Sequence, residues 1–122
     1  MFGRMFSFLG GAETQSDQIK VVPAATVKEW VDAGEAVVVD VREVREHMSE
    51  RIPGAVLNPL SQFDPSRIPN AQDKKLVIHC RSGARCGMAS ARLLQSGYDG
   101  TIHRLQGGMI GWLSVGGKVV RG

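Results

Sequence analysis

From Leu76 to Gln95 the chain runs through an apolar burst, Leu76-Val77-Ile78-His79, into Cys80-Arg81-Ser82-Gly83-Ala84-Arg85. A helical stretch beginning near Cys86 follows, carrying Met88, Ala89, Ala91, Leu93 and Leu94. A buried strand, a short loop and a helix in that order leave few folds open, because the strand must be covered and the helix must cover it. The order also aims backbone N–H groups and the positive end of the helix dipole at the loop. A thiol placed there ionises more readily than a free cysteine, and the thiolate is the reactive form. Cys80 is therefore expected to be a nucleophile in an anion cradle. Arg81 and Arg85 would stabilise the thiolate, and the Arg85 fork would receive an incoming oxyanion. Inert packing, the other common fate of a cysteine, suits mid-strand positions better than this strand end.

The rest of the chain supplies a matching scaffold. Ala36-Val37-Val38-Val39-Asp40-Val41 is a continuous β-branched run, as expected of a strand covered on both faces of a parallel sheet. Ile19 to Val22, Ala55 to Leu57 and Thr101 to Leu105 read as further strands. Helices are expected from Thr26, where Thr26 and Glu29 have the capping-box pattern, to Gly34; over Glu43 to Glu50; and from Gly107-Gly108 to Ser114. Pro65 and Pro69 limit the intervening stretch to a helical turn or two. Strands alternating with helices indicate one α/β domain with a mostly parallel sheet over residues 19–122. Ligands of such sheets bind beyond the carboxyl ends of the strands. Asp40 closes one strong strand and Cys80 follows the other.

Residues 1–18 are read as a partly ordered tail. Phe2, Met5, Phe6 and Leu9 recur at helical spacing, but the segment is too short to cross a bilayer and lacks a convincing signal-peptide core. It is expected to dock on the domain or on a second copy rather than on a membrane surface. Only two cysteines occur, six positions apart, so a disulfide framework is not expected and a reducing, cytoplasmic setting is the simplest. Charge is unevenly placed. Residues 1–73 hold seven Lys/Arg against eleven Asp/Glu, a balance of −4, and residues 74–122 hold eight against one, a balance of +7. Few aromatics accompany the bases and no nucleic-acid motif does, so a small anionic substrate is expected rather than nucleic acid.

Four separated motifs lie in one order: Asp40-Val41-Arg42 with Glu46, Ile52-Pro53-Gly54-Ala55, Cys80-Arg81-Ser82-Gly83-Ala84-Arg85, and Gly107-Gly108 with Trp112. Together they resemble a single-domain rhodanese from about Ile19 to Val120. The resemblance implies a five-stranded, mostly parallel sheet with helices on both faces, no cofactor, and a thiosulfate-type sulfurtransferase. Cys80 would take the outer sulfur of thiosulfate, or of a persulfide donor, and hold it as a persulfide. A thiol or cyanide would then remove it, in ping-pong fashion. Arg81, Ser82, Gly83, Ala84 and Arg85 would form the persulfide-binding loop, and Asp40 and Arg42 would brace it from behind. A protein sulfur donor or acceptor is the alternative partner, in which case the chain would be a persulfide carrier or redox-sensing module.

Loop length separates the rivals. Tyrosine phosphatases and the cell-cycle phosphatases of the same fold place five residues between cysteine and arginine, and Cys80 and Arg85 are separated by four. A phosphatase or arsenate reductase is correspondingly disfavoured. Cys86 departs from the family, which usually has serine or another small residue there. It is either a small residue at the helix start or a redox partner for Cys80. Cys80, Cys86 and His79 lack the spacing of a zinc site, so no metal is expected. Alternation turns His79 away from Cys80, which makes it a core histidine and not a general base. His47 and His103 carry no motif.

Overall fold

The computed structural model describes residues 17–122, so the expectations for residues 1–16 lie outside the described residues. Five parallel strands form the centre: β1 (Ile19–Val22), β2 (Ala36–Asp40), β4 (Val56–Leu57), β5 (Lys75–His79) and β6 (Ile102–Leu105), in the order β1-β6-β5-β2-β4. Helices α1 (Ala24–Asp32), α2 (Val44–Ser49), α3 (Ala84–Gln95) and α4 (Gly108–Ser114) connect or follow them. The β-branched runs sit centrally because strands β2 and β5 are buried on both faces. Val39, Leu76 and Ile78 pack with Ala89 and Leu93 of α3. Val38 and Val77 face the other way and pack with Val27 of α1 and Met109 and Trp112 of α4. This is the expected parallel sheet with helices on both faces. Among the described residues no helix is long and apolar enough to cross a membrane.

Two helix starts differ from expectation. Helix α1 begins at Ala24, with Pro23 at its N-cap and no side-chain cap, so Thr26 and Glu29 lie inside it. Proline fixes its own φ without needing a donor, and its carbonyl takes the amides of Thr26 and Val27 at 3.0 and 3.1 Å. Helix α3 begins at Ala84, two residues before Cys86, because Gly83 at φ +119° turns the loop straight into the helix. That shift puts Cys86, which is buried, in the first turn of the helix. A further pair, β3 (Glu50–Arg51) with β7 (Val120–Arg121), is antiparallel and was not expected, since two-residue strands carry no periodicity. Trp112 helps place β7 by donating from Nε1 to the Lys118 carbonyl at 2.8 Å.

In the sheet register Asp40 lies opposite His79. The carboxyl ends of β2 and β5 are thus side by side, and Cys80 leaves the sheet next to Asp40.

Candidate active site

The loop folds back on the first residue after β5. The Gly83 amide donates to Cys80 Sγ at 3.0 Å, and the Cys86 thiol lies 3.4 Å from the same sulfur. The Cys86 thiol and the amides of Cys86, Gly83 and Ser82 outweigh burial and pull the Cys80 thiol down to about 5. Cys86 moves in the opposite sense, raised well above an ordinary thiol by its hydrogen bond to Cys80 and by burial. At neutral pH the pair therefore holds one thiolate, on Cys80, and one proton, on Cys86.

This charge state is directly measurable. The thiolate signal of Cys80, taken as the ultraviolet absorbance of the wild type minus that of Cys80→Ser, is expected to persist at pH 7 and to fall as pH drops through about 5. A midpoint at the ordinary cysteine value of about 8.5 would contradict the cradle.

Helix α4 holds the loop from outside. Met109 donates its amide to the Cys80 carbonyl at 2.8 Å, and Ile110 donates to the Arg81 carbonyl at 3.2 Å. Such an approach needs glycine. A Cβ on Gly108 would stand 2.3 Å from the Cys80 carbonyl oxygen and 2.6 Å from the Arg81 carbonyl, at a φ of +54°. Gly108→Ala is expected to cost about 2–4 kcal/mol from strain and displaced backbone, read as a lower urea midpoint, and to raise the Cys80 pKa as the cradle opens. An unchanged midpoint and pKa would show that the loop does not depend on this contact.

Arg85 does not aim its fork at the loop. Its two guanidinium nitrogens donate to the Glu46 carboxylate at 2.7 and 2.9 Å, and the pairing holds Glu46 down to about 2. The fork expected to receive an oxyanion is thus engaged by Glu46, and Arg85 ties the first turn of α3 to α2. Arg81 is exposed and borders a cleft of about 300 Å³ whose walls include Arg42, Glu46, Met109, Ile110 and Leu113. Positive charge stands at the loop, and apolar surface on α4 flanks it.

Behind the loop, Asp40 and Arg42 form a buried pair. The Arg42 amide and Nε donate to Asp40 Oδ1 at 2.9 and 3.0 Å, and Nη2 donates to Oδ2 at 2.8 Å. Arg42 also donates from Nη2 to the Glu50 carbonyl at 2.6 Å, fastening the end of α2. Burial alone would raise Asp40, but hydrogen bonds from Arg42 and His47 hold it below the ordinary carboxylate value. His47 Nδ1 is 2.8 Å from Oδ2. An ionised carboxylate only accepts, so that nitrogen carries the proton. His79 is fully buried, and burial lowers its pKa.

Three contributors make contacts that no sequence motif exposes. Glu46 appears in the Asp40-Val41-Arg42 motif, but nothing in the sequence pairs it with Arg85, 39 positions away. Its signal is the capping box with Glu43, which fixes the start of α2 and so the face Glu46 presents. That same start returns His47 to Asp40. Arg104 on β6 donates from Nη2 to the Gly83 carbonyl at 3.0 Å, and only the strand order brings it beneath the loop.

Comparisons with known proteins show the family and the fold. A family model described as a rhodanese-like domain matches residues 23–115. An uncharacterised protein of Synechocystis is 34% identical over 110 residues, which cover 90% of this chain and 60% of that protein. A sulfurtransferase of Allochromatium vinosum is 40% identical over 91 residues, which cover 73% of this chain and 82% of that protein. Among solved structures, a rhodanese-related protein from Thermoplasma volcanium superposes with a TM-score of 0.70 at 29% identity, over 83% of this chain and 97% of that one. The chain thus spans less than two thirds of the Synechocystis relative's length.

Proposed function

The chain belongs to the family of rhodanese-like domains, and we propose that it moves sulfane sulfur from thiosulfate, or from a persulfide donor, to a thiol or cyanide through a persulfide on Cys80. The observation that carries this reading is the Gly83 amide 3.0 Å from Cys80 Sγ, in a loop with four residues between Cys80 and Arg85. A ring this tight encloses a sulfur atom and its charge. In the first half-reaction the Cys80 thiolate attacks the outer sulfur of thiosulfate. The S–S bond breaks, its electron pair leaves with sulfite, and Cys80 keeps the sulfur as a persulfide. The loop amides then stabilise the anionic outer sulfur as an oxyanion hole stabilises oxygen. In the second half-reaction an acceptor thiolate or cyanide attacks that outer sulfur and returns Cys80 to a thiolate.

Arg81 at the mouth of the cleft draws the anionic donor, and the Arg85–Glu46 pair fixes the loop's far end. A phosphatase would need the Arg85 fork on its phosphate, and Glu46 already occupies it. The exposed Ile110 and Leu113 beside the loop favour an acceptor with apolar surface, which a protein thiol supplies and cyanide does not.

Initial rates of thiocyanate formation, with thiosulfate and cyanide both varied, are expected to give parallel reciprocal plots, because sulfite leaves before cyanide enters. Intersecting plots would mean a ternary complex and contradict the persulfide route. An absence of thiocyanate, with Cys80 still loaded by a persulfide donor, would make the chain a carrier.

A further inference from the structure

We propose that Cys86 resolves sulfur-loaded Cys80: its thiol attacks the inner sulfur, expels the outer one as hydrogen sulfide, and leaves a Cys80–Cys86 disulfide. The inference rests on the Cys80 persulfide reading and adds a second exit for the sulfur. Both cysteines are free, and their sulfurs stand 3.4 Å apart. That is contact distance, and a disulfide needs a further approach of about 1.4 Å. Cys86 is 0% exposed, so it meets a persulfide from inside the protein, whereas an external acceptor must come from solvent. An external acceptor enters through the loop and meets the outer sulfur. Cys86 lies beneath the loop, already against the inner one.

The proton arrangement keeps this step silent until sulfur is loaded. The Cys86 thiol has two acceptors in reach, Cys80 Sγ and the Ile78 carbonyl, each at 3.4 Å. While Cys80 is a thiolate, its charge holds the proton on Cys86. Loading converts Cys80 Sγ into a neutral, electrophilic sulfur and moves the negative charge to the outer atom. The proton of Cys86 then leaves with that atom. The Cys80 persulfide anion and the Cys86 thiol become one disulfide and HS⁻. The Cys86 sulfur is oxidised to the disulfide level, the Cys80 sulfur already being there in the persulfide, and the outer sulfur is reduced to sulfide, so no outside oxidant is needed. A cellular thiol reopens the disulfide by exchange. With acceptor scarce, the protein releases its sulfur as sulfide and stops after one turnover.

The test loads wild type, Cys86→Ser and Cys80→Ser with inorganic polysulfide, which places sulfur on a thiolate whether or not thiosulfate is a substrate. Each is desalted and followed without added thiol, by intact mass and by sulfide release. Wild type is expected to release one sulfide per chain and to end two hydrogens lighter than the reduced protein. Cys86→Ser is expected to keep the added sulfur at least about tenfold longer, because the neighbouring thiol is gone. A wild type that keeps its sulfur as long as Cys86→Ser overturns the proposal. So does a map placing the added sulfur on Cys86, since that is attack at the outer atom. If Cys86→Ser takes up no sulfur on Cys80, the persulfide reading itself falls and this step falls with it. A second readout is cyanide turnover over time. Wild type should slow progressively and recover with a dithiol, and Cys86→Ser should not slow.

Discussion

Cys80→Ser is expected to lower sulfur transfer from thiosulfate to cyanide by at least about a thousandfold, because the proposed reaction loses its covalent intermediate. The substitution replaces one atom, and Gly83 still has an acceptor at the position it now faces at 3.0 Å. Stability should therefore change little and rate almost entirely. A serine hydroxyl stays protonated at neutral pH, whereas the Cys80 thiol, at about 5, is already ionised. Amides that hold a thiolate give no comparable help to a neutral oxygen. The loss should fall on kcat and on kcat/KM alike. Retained turnover in Cys80→Ser would move the nucleophile to another residue.

Asp40→Ala has the largest expected effect on stability. Asp40 is 0% exposed and Arg42 5%, and the carboxylate takes hydrogen bonds from the Arg42 amide, the Arg42 guanidinium and His47. Removing it leaves a buried guanidinium with the Glu50 carbonyl in place of its counter-charge. Breaking a buried pair in this way costs about 3–5 kcal/mol, a fall in Tm of roughly 10–20 °C for a domain of this size. A Tm within a few degrees of wild type would contradict the description of this pair as buried and mutually dependent. Replacing both partners, as Asp40→Leu with Arg42→Met, should cost less than the single change, since no charge is stranded. The pH dependence follows the same pair. Asp40 is held below its unfolded value of 3.8, so its contribution is complete above that pH and disappears as pH falls through the lower folded value. Acid unfolding of wild type should therefore include a step below about pH 4 that Asp40→Ala lacks.

Much of this is legible in the sequence, for identifiable reasons. Val37 to Val41 and Leu76 to His79 announce central strands because a parallel sheet buries both faces of a strand. Cys80 stands out because it follows such a strand and precedes Gly83. Contacts made by chain segments far apart are what the sequence conceals. Arg85 reads as a fork aimed at substrate until the fold sets Glu46 against it. Arg104 has no local signal at all, and it reaches Gly83 only through strand order. Helix starts move for a local reason that pattern reading underrates. Pro23 and Gly83 each set a backbone angle that begins a helix two residues before the start its sequence pattern suggests. For Cys86 the start at Gly83 matters most, since it places the cysteine in the first turn of α3, 3.4 Å from the sulfur of Cys80.

The central claim is that Cys80 accepts sulfur covalently before any acceptor arrives. The most direct measurement is the release of sulfite when the protein is mixed with thiosulfate and no acceptor. The account predicts a burst of one sulfite per chain, the same whether Cys80 then remains a persulfide or is resolved by Cys86, and no burst from Cys80→Ser. A wild type that yields no sulfite, or a Cys80→Ser variant that yields as much, would contradict it.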